Sequence, residues 1–259
     1  MEPLSEVEMA EHAAFAREVG ADPLFSFTIQ RYLIVRVRNP TSRVVYDAAK
    51  VASDALFDSK NGVISVKGCG GDPDIFFKLH LVLAQCAAAN AYLFVAVDTR
   101  IWRAVGCLSA YHPGATQSDI TASGVSSLST NLFSDFVASL PADLQPFWTF
   151  LAPAVVNIVD YIVGDGGKKP AWAINSFAVL SEHRQKGLGT RLLHQLEKAV
   201  KHVATASSEA TKKPIFMETQ SALNYTIATK MGFVAHKPAP AIPFVTSSSF
   251  WILRKDVSD

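Results

Sequence analysis

Tyr32–Arg38, YLIVRVR, alternates between apolar and polar positions with a period of two, the mark of a half-buried strand. Val44, Ala48, Val51 and Leu56 then recur at helical spacing, which predicts a helix over 44–57. The turn cluster GCGGDPD at 68–74 should lead into a second helix from Ile75 to about Ala89. Strands are expected at Tyr92–Val97 and Trp102–Ala110, joined by the polar turn DTR and closed by His112–Pro113–Gly114. Residues 79–97 carry no formal charge over nineteen positions, the length of a membrane span. His80, Gln85 and Asn90 interrupt the run, however, and its second half is β-rich, so a buried helix meeting a buried strand is the reading.

Between Ala104 and Gly167 there is no Lys, Arg or Glu, and the only formal charges are Asp119, Asp135, Asp143, Asp160 and Asp165. This stretch also holds Phe133, Phe136, Phe147, Trp148, Phe150 and Tyr161, and helices broken at Pro141, Pro146 and Pro153 are expected. From residue 168 onward Lys and Arg outnumber Asp and Glu thirteen to six, so the chain changes sign there. The whole chain nevertheless balances at +1, which argues against nucleic acid as the main partner. Residues 1–28 read as an acidic helical arm with no secretory pattern. Cys69, Cys86 and Cys107 are odd in number and lack CxxC spacing, and the seven histidines lack ligand spacing. Free thiols in a cytoplasmic setting, with no metal and no membrane partner, are the expectation.

The informative segment is AWAINSFAVLSEHRQKGLGTRLLHQLEKAV, from residue 171 to 200. An apolar strand, Ala171–Val179, is followed by the glycine-bearing turn Arg184–Gly189. Thr190 then opens a helix with Leu192, Leu193, Leu196, Ala199, Val200 and Val203 at the 3.6-residue period. The first amides of a helix lack intrahelical acceptors and its dipole favours negative charge there, so strand, turn and helix start together form an anion site. Gly187 and Gly189 let the backbone close around a diphosphate, Arg184 and Lys186 add cationic donors, and Thr190 offers a hydroxyl. The spacing lacks the third glycine of a dinucleotide fingerprint, and GDGGKK at 164–169 fails the P-loop spacing.

The strand, the loop RQKGLG, the amphipathic helix, the later strand PIFMET (Pro214–Thr219) and a helix from Ala222 to Met231 ending in Gly232–Phe233 together resemble the GNAT acetyltransferase family. Within it, the F-x-E-T strand, the Asn six residues after that Glu, and the terminal FWILRKD are similar to puromycin N-acetyltransferase-like proteins and their fungal relatives. The likeness is good over 171–255, loose over 31–114 and poor over 115–168. It implies a mixed α/β fold with a central, mostly antiparallel sheet, splayed in the middle to admit acetyl-CoA. It places one GNAT domain at 29–259, with a helical insertion at 115–168 on the acceptor side and the acyl-CoA-binding core at 171–233. By resemblance, main-chain groups of Phe177, Ala178 and Val179 meet the pantetheine arm. The amides of Gln185, Lys186, Gly187, Leu188, Gly189 and Thr190, beside Arg184, hold the pyrophosphate, and Asn224 bonds the pantetheine.

The sequence departs from the family at the tyrosine that protonates the leaving thiolate, where Ala228 stands. Tyr225, one turn away, is the candidate acid, with simple packing as its alternative role. Glu218 is the candidate base or a structural ion pair; His112 and Asp160 are weaker candidates, and His183 reads as part of a solvated turn. The expected activity is direct transfer from acetyl-CoA to a small apolar or aromatic amine. A protein or peptide N-acetyltransferase, and a CoA-binding protein that no longer catalyses, stand as alternatives.

Overall fold

A computed structural model describes residues 31–57, 64–113, 127–163, 171–206, 213–238 and 250–257. The arm at 1–28 and the GDGGKK segment lie outside the described residues. The strands are β1 (Tyr32–Val37), β2 (Tyr92–Asp98), β3 (Arg103–Tyr111), β4 (Trp172–Val179), β5 (Ile215–Thr219), β6 (Val234–Pro238) and β7 (Trp251–Lys255). The helices are α1 (Arg43–Leu56), α2 (Ile64–Gly68), α3 (Pro73–Asn90), α4 (Ser127–Ser139), α5 (Ala152–Val163), α6 (Leu188–Ala206) and α7 (Ala222–Lys230).

Local chemistry accounts for most boundaries. Ser42 caps α1 by accepting from Val45 N–H, and Asp72 caps α3 by accepting from Asp74 and Ile75 N–H, with Pro73 in the first turn. Helix α3 therefore begins two residues earlier than its apolar pattern indicates. Trp102 adopts φ 48, so the hairpin turn holds it and β3 starts one residue later than expected. The uncharged run at 79–97 is helix α3 passing into β2, with Leu79, Ala87, Val95 and Val97 buried. Among the described residues no helix is long and apolar enough to cross a membrane.

Pro153 does not break the insertion as expected. A π-helical turn at Phe147–Leu151 runs straight into α5, and Ala152 N–H reaches back to the Phe147 carbonyl. The wider π turn absorbs the proline's missing donor.

Among the described residues seven strands form one sheet, in the order β1-β2-β3-β4-β5-β7-β6. Every neighbouring pair is antiparallel except β4 and β5, which run parallel. That one pair holds only over Trp172–Ile174 against Ile215–Met217, and beyond it the two strands part. One face packs α1 and α3 against Val35, Val95, Val97 and Ala178; the other packs α6 against Leu108, Trp172, Ile215 and Leu253. Phe136, Leu140 and Trp148 of the insertion join Val66, Cys69 and Phe76 in a satellite core beside α2 and α3.

Candidate active site

The residue that shapes the site is Asn175. Pairing with β3 runs Phe177 to Leu108 and Ser176 to Ser109, then jumps to Ile174 opposite Ala110, leaving Asn175 as an extra residue. Ser109 Oγ accepts the Ser176 N–H at 3.1 Å, replacing the ladder bond that the bulge removes. The bulge also resets the faces. Strict alternation would separate Trp172 and Ile174 from Phe177 and Val179; with the extra residue all four pack on the α6 side.

Among the described residues, β4 past the bulge has a strand neighbour on one edge only. Leu180 N–H donates to the Val105 carbonyl on the β3 side. Main-chain direction alternates along a strand, so the N–H and C=O groups of Phe177 and Val179 point away from β3, into the parting, while those of Ala178 point toward β3. Of the three β4 residues named from the sequence, two therefore offer main-chain groups to the opening and Ala178 instead contributes a buried methyl. Arg184 Nε donates to the Val179 carbonyl at 3.0 Å, which seats its guanidinium at the mouth of the parting.

Helix α6 starts at Leu188, so Gly189 and Thr190 lie inside its first turn, two residues earlier than expected. The cause is Gly187: its φ of 73° turns the chain and its carbonyl accepts Arg191 N–H. The Leu188, Gly189 and Thr190 amides thus form the unpaired end of a nineteen-residue helix beside the parting. Gln185 also holds a positive φ, 60°, and Lys186 Nζ donates to the Glu182 carbonyl at 2.7 Å. A Cβ placed on Gly187 would meet no heavy atom within 4 Å, whereas one on Gly189 would press within 3.0 Å of Met231 Cε and 3.6 Å of Phe177 Cζ. Gly187 therefore faces open space, and Gly189 permits close packing of α7 and β4 on α6.

His183 is a correction. Its polar flanks, Ser181 and Glu182, suggested a solvated turn, yet the ring is 8% exposed and lies 3.2 Å from Tyr32 OH and 3.9 Å from Asp98 Oδ2. Burial, with Lys186 adding to it, holds the imidazole below its ordinary pKa. Asp98 is 1% exposed; burial alone would raise its carboxyl, but hydrogen bonds from Arg100 and Arg31 outweigh it and hold the pKa down. The sequence carried no signal for this group because its members sit at 31–32, 98–100 and 183.

The two proposed proton-transfer residues lie on opposite faces. Glu218 pairs with Ile252 and Thr219 with Trp251, and cross-strand partners share a face. Tyr225 stacks on Trp251 with centroids 5.1 Å apart, so it belongs with Thr219 on the α6 side. Glu218 shares the other face with Phe216, whose ring meets His236 at 5.3 Å; His236 in turn bonds the Val163 carbonyl at the end of α5. The insertion thus abuts the Glu218 face. Asn224 stands in the first turn of α7, where Ser221 supplies the cap by accepting Asn224 N–H. Ala228 is 2% exposed, its methyl in the α6-side core. His112 bonds the Pro113 carbonyl and meets Trp172, at the paired end of β4 away from the parting. The three cysteines are buried free thiols; burial pushes Cys69 and Cys107 up to about 12 and Cys86 to about 11, which removes them as nucleophiles.

Residues 137–217, from the end of α4 through β4, the loop and α6 into β5, match the model of the Acetyltransferase (GNAT) family. A mosquito arylalkylamine N-acetyltransferase-like 5b structure is similar at 14% identity, over 86% of this chain and 100% of that one, with a TM-score of 0.54. An N-acetyltransferase from Staphylococcus aureus Mu50 is similar at 15% identity, over 86% of this chain and 99% of that one, with a TM-score of 0.51. A search of curated proteins by sequence found no match. The fold is that of the GNAT acetyltransferases, with the parallel pair β4–β5 at its centre.

Proposed function

We propose that this chain, whose GNAT acetyltransferase domain makes it an acyltransferase, transfers an acetyl group directly from acetyl-CoA to a small apolar or aromatic amine. The observation that carries this reading is the parting of β4 from β5 immediately beside the open N-terminus of α6. The residues fit the donor. Open space at Gly187, unpaired amides at Leu188 to Thr190 and nearby Arg184 and Lys186 suit a diphosphate. The outward main-chain groups of Phe177 and Val179, together with Asn224, suit the amides of a pantetheine arm.

Acetyl-CoA supplies the acetyl group as an activated thioester. An amide of the splayed strand near Phe177 to Val179 polarises the carbonyl, as a fixed dipole where negative charge develops. Glu218, on the face abutted by the insertion, takes the proton of the incoming ammonium directly or through one water. Tyr225, on the α6 face, donates a proton to the departing sulfur. Placing base and acid on opposite faces of the parting lets acceptor and donor approach from opposite sides.

The amine class rests on the Glu218 carboxylate and on the stretch from Ala104 to Gly167, most of it the insertion, which has no Lys, Arg or Glu. Its aromatic residues give less support: Phe136 is buried and Phe133 and Trp148 pack beside it, while Phe150 and Tyr161 are 75% and 88% exposed. Membership of the puromycin N-acetyltransferase-like group rests on the sequence motifs alone. A single domain over 29–259, and a cytoplasmic setting in keeping with three unpaired thiols, belong to the same proposal.

The test is thiol release from acetyl-CoA across aromatic, aliphatic and acidic amines. Turnover with aromatic or apolar amines supports the reading; turnover confined to acidic acceptors overturns the substrate class. One observation favours a second reading, a CoA-binding protein that does not transfer: Ala228 fills the family's tyrosine position and is packed into the core. Tight CoA binding with no thiol release from any acceptor would establish that reading instead.

A further inference from the structure

Both flanks of the glycine loop meet one residue of β1. Ahead of the loop, His183 Nδ1 shares a 3.2 Å hydrogen bond with the Tyr32 hydroxyl, and the two rings meet edge to face at 5.8 Å. Behind it, the Arg191 guanidinium donates to the Tyr32 carbonyl at 2.9 Å. Tyr32 is itself 8% exposed and is anchored in the sheet by pairing with Asp98. Arg31 Nε and Nη2 both donate to Asp98 Oδ2 at 3.2 Å, and its guanidinium lies 4.9 Å above the Tyr32 ring. The span between the two grips, residues 184–190, contains the non-glycine residue at positive φ, Gln185, and the glycine turn at Gly187. A backbone held in that region reverts unless its surroundings fix it.

We infer that Tyr32 is a positioning residue for the diphosphate loop, gripping it through His183 at one end and Arg191 at the other, so that the α6 amides are aligned before the ligand arrives. The inference rests on the acyl-CoA reading of the loop. Its physical content is pre-organisation: ordering done by the fold is not charged against binding. Tyr32 touches neither donor nor acceptor in this scheme and acts only through the loop.

Tyr32→Phe removes the hydroxyl grip while keeping the ring and the carbonyl that Arg191 uses. His183→Gln offers a hydrogen-bonding side chain of different shape, and His183→Leu offers none. Dissociation constants are measured for CoA by calorimetry and for pantetheine, which lacks the diphosphate, by NMR titration. Thermal midpoints and amide exchange are followed alongside. A lost hydrogen bond of ordinary strength corresponds to about three- to tenfold weaker CoA binding for Tyr32→Phe and His183→Leu, with partial rescue in His183→Gln. Pantetheine affinity should stay unchanged, and faster amide exchange should be confined to residues 183–191. Equal weakening of both ligands, exchange that rises throughout the protein, or no change in CoA affinity would overturn the inference. If the parent protein binds CoA while Tyr32→Phe is silent, the grip fails alone; if the parent does not bind CoA, the acyl-CoA reading fails with it.

Discussion

His80 carries a single-residue consequence that the active site does not use. Its ring is 6% exposed, stacked edge-on against Phe76, and neither nitrogen has a hydrogen-bond partner among the described residues. Burial lowers its pKa from 6.5 to about 4. The unfolded chain therefore takes up a proton that the folded chain refuses as pH falls from 6.5 towards 4. The stability contributed by the neutral ring is complete above pH 6.5 and is lost through that window. The loss is about 2 kcal/mol at pH 5, from the 1.36 kcal/mol carried by each pKa unit. Denaturant unfolding at pH 7.5 and pH 5 should show that loss in the parent and a much smaller one in His80→Leu; an equal loss in both would refute the account. At the site, Glu218→Gln should lower kcat by roughly two to four orders of magnitude, while Tyr225→Phe should cost less because a thiolate leaves readily. A kcat unchanged by Glu218→Gln would remove it as the base. Ala228→Tyr does not restore the family's acid: a phenol forced into that core position should cost about 1–3 kcal/mol in denaturant unfolding.

At the scale of elements, the bulge and the loop are the decisive features, and each was legible only in part. The sequence WAINSFAV reads as a strand, but nothing in it marks Asn175 as surplus, because the bulge is defined by its partner Ser109 across the sheet. Ser109→Ala leaves the buried Ser176 N–H without its acceptor and should cost about 1–3 kcal/mol of stability, read by denaturant unfolding. If stability and kcat were both untouched, the serine would not be holding the bulge. The loop RQKGLG was plain because glycine spacing before an amphipathic helix is a local signal. The grip on it by Tyr32 was hidden because the two residues it joins, Tyr32 and His183, are 151 positions apart. Similarly, the polar flanks of His183, Ser181 and Glu182, are exposed as a solvated turn requires, while its own ring is buried.

For the whole molecule, hydrophobic periodicity gave the order of most elements, without α2 and β6, and the resemblance to the GNAT family gave the mostly antiparallel sheet with a central opening. The remainder was a matter of tertiary placement. Insertion aromatics that could have lined an acceptor pocket are largely spent on a satellite core around Phe76. Glu218 and Tyr225, seven positions apart in sequence, end on opposite faces because β5 alternates and α7 folds back beneath Trp251. The central claim is that the opening between β4 and β5, with the N-terminus of α6, is a seat for acyl-CoA. Calorimetric titration of the purified protein with acetyl-CoA, with Gly187→Glu in parallel, tests it most directly. Glutamate there puts a carboxylate into the open space that suits the diphosphate, at a φ of 73° that disfavours side chains. The account predicts saturable binding by the parent and at least a hundredfold weaker binding by a variant that circular dichroism shows to be folded, roughly 3 kcal/mol or more. No binding by the parent, or equal binding by the two, would contradict it.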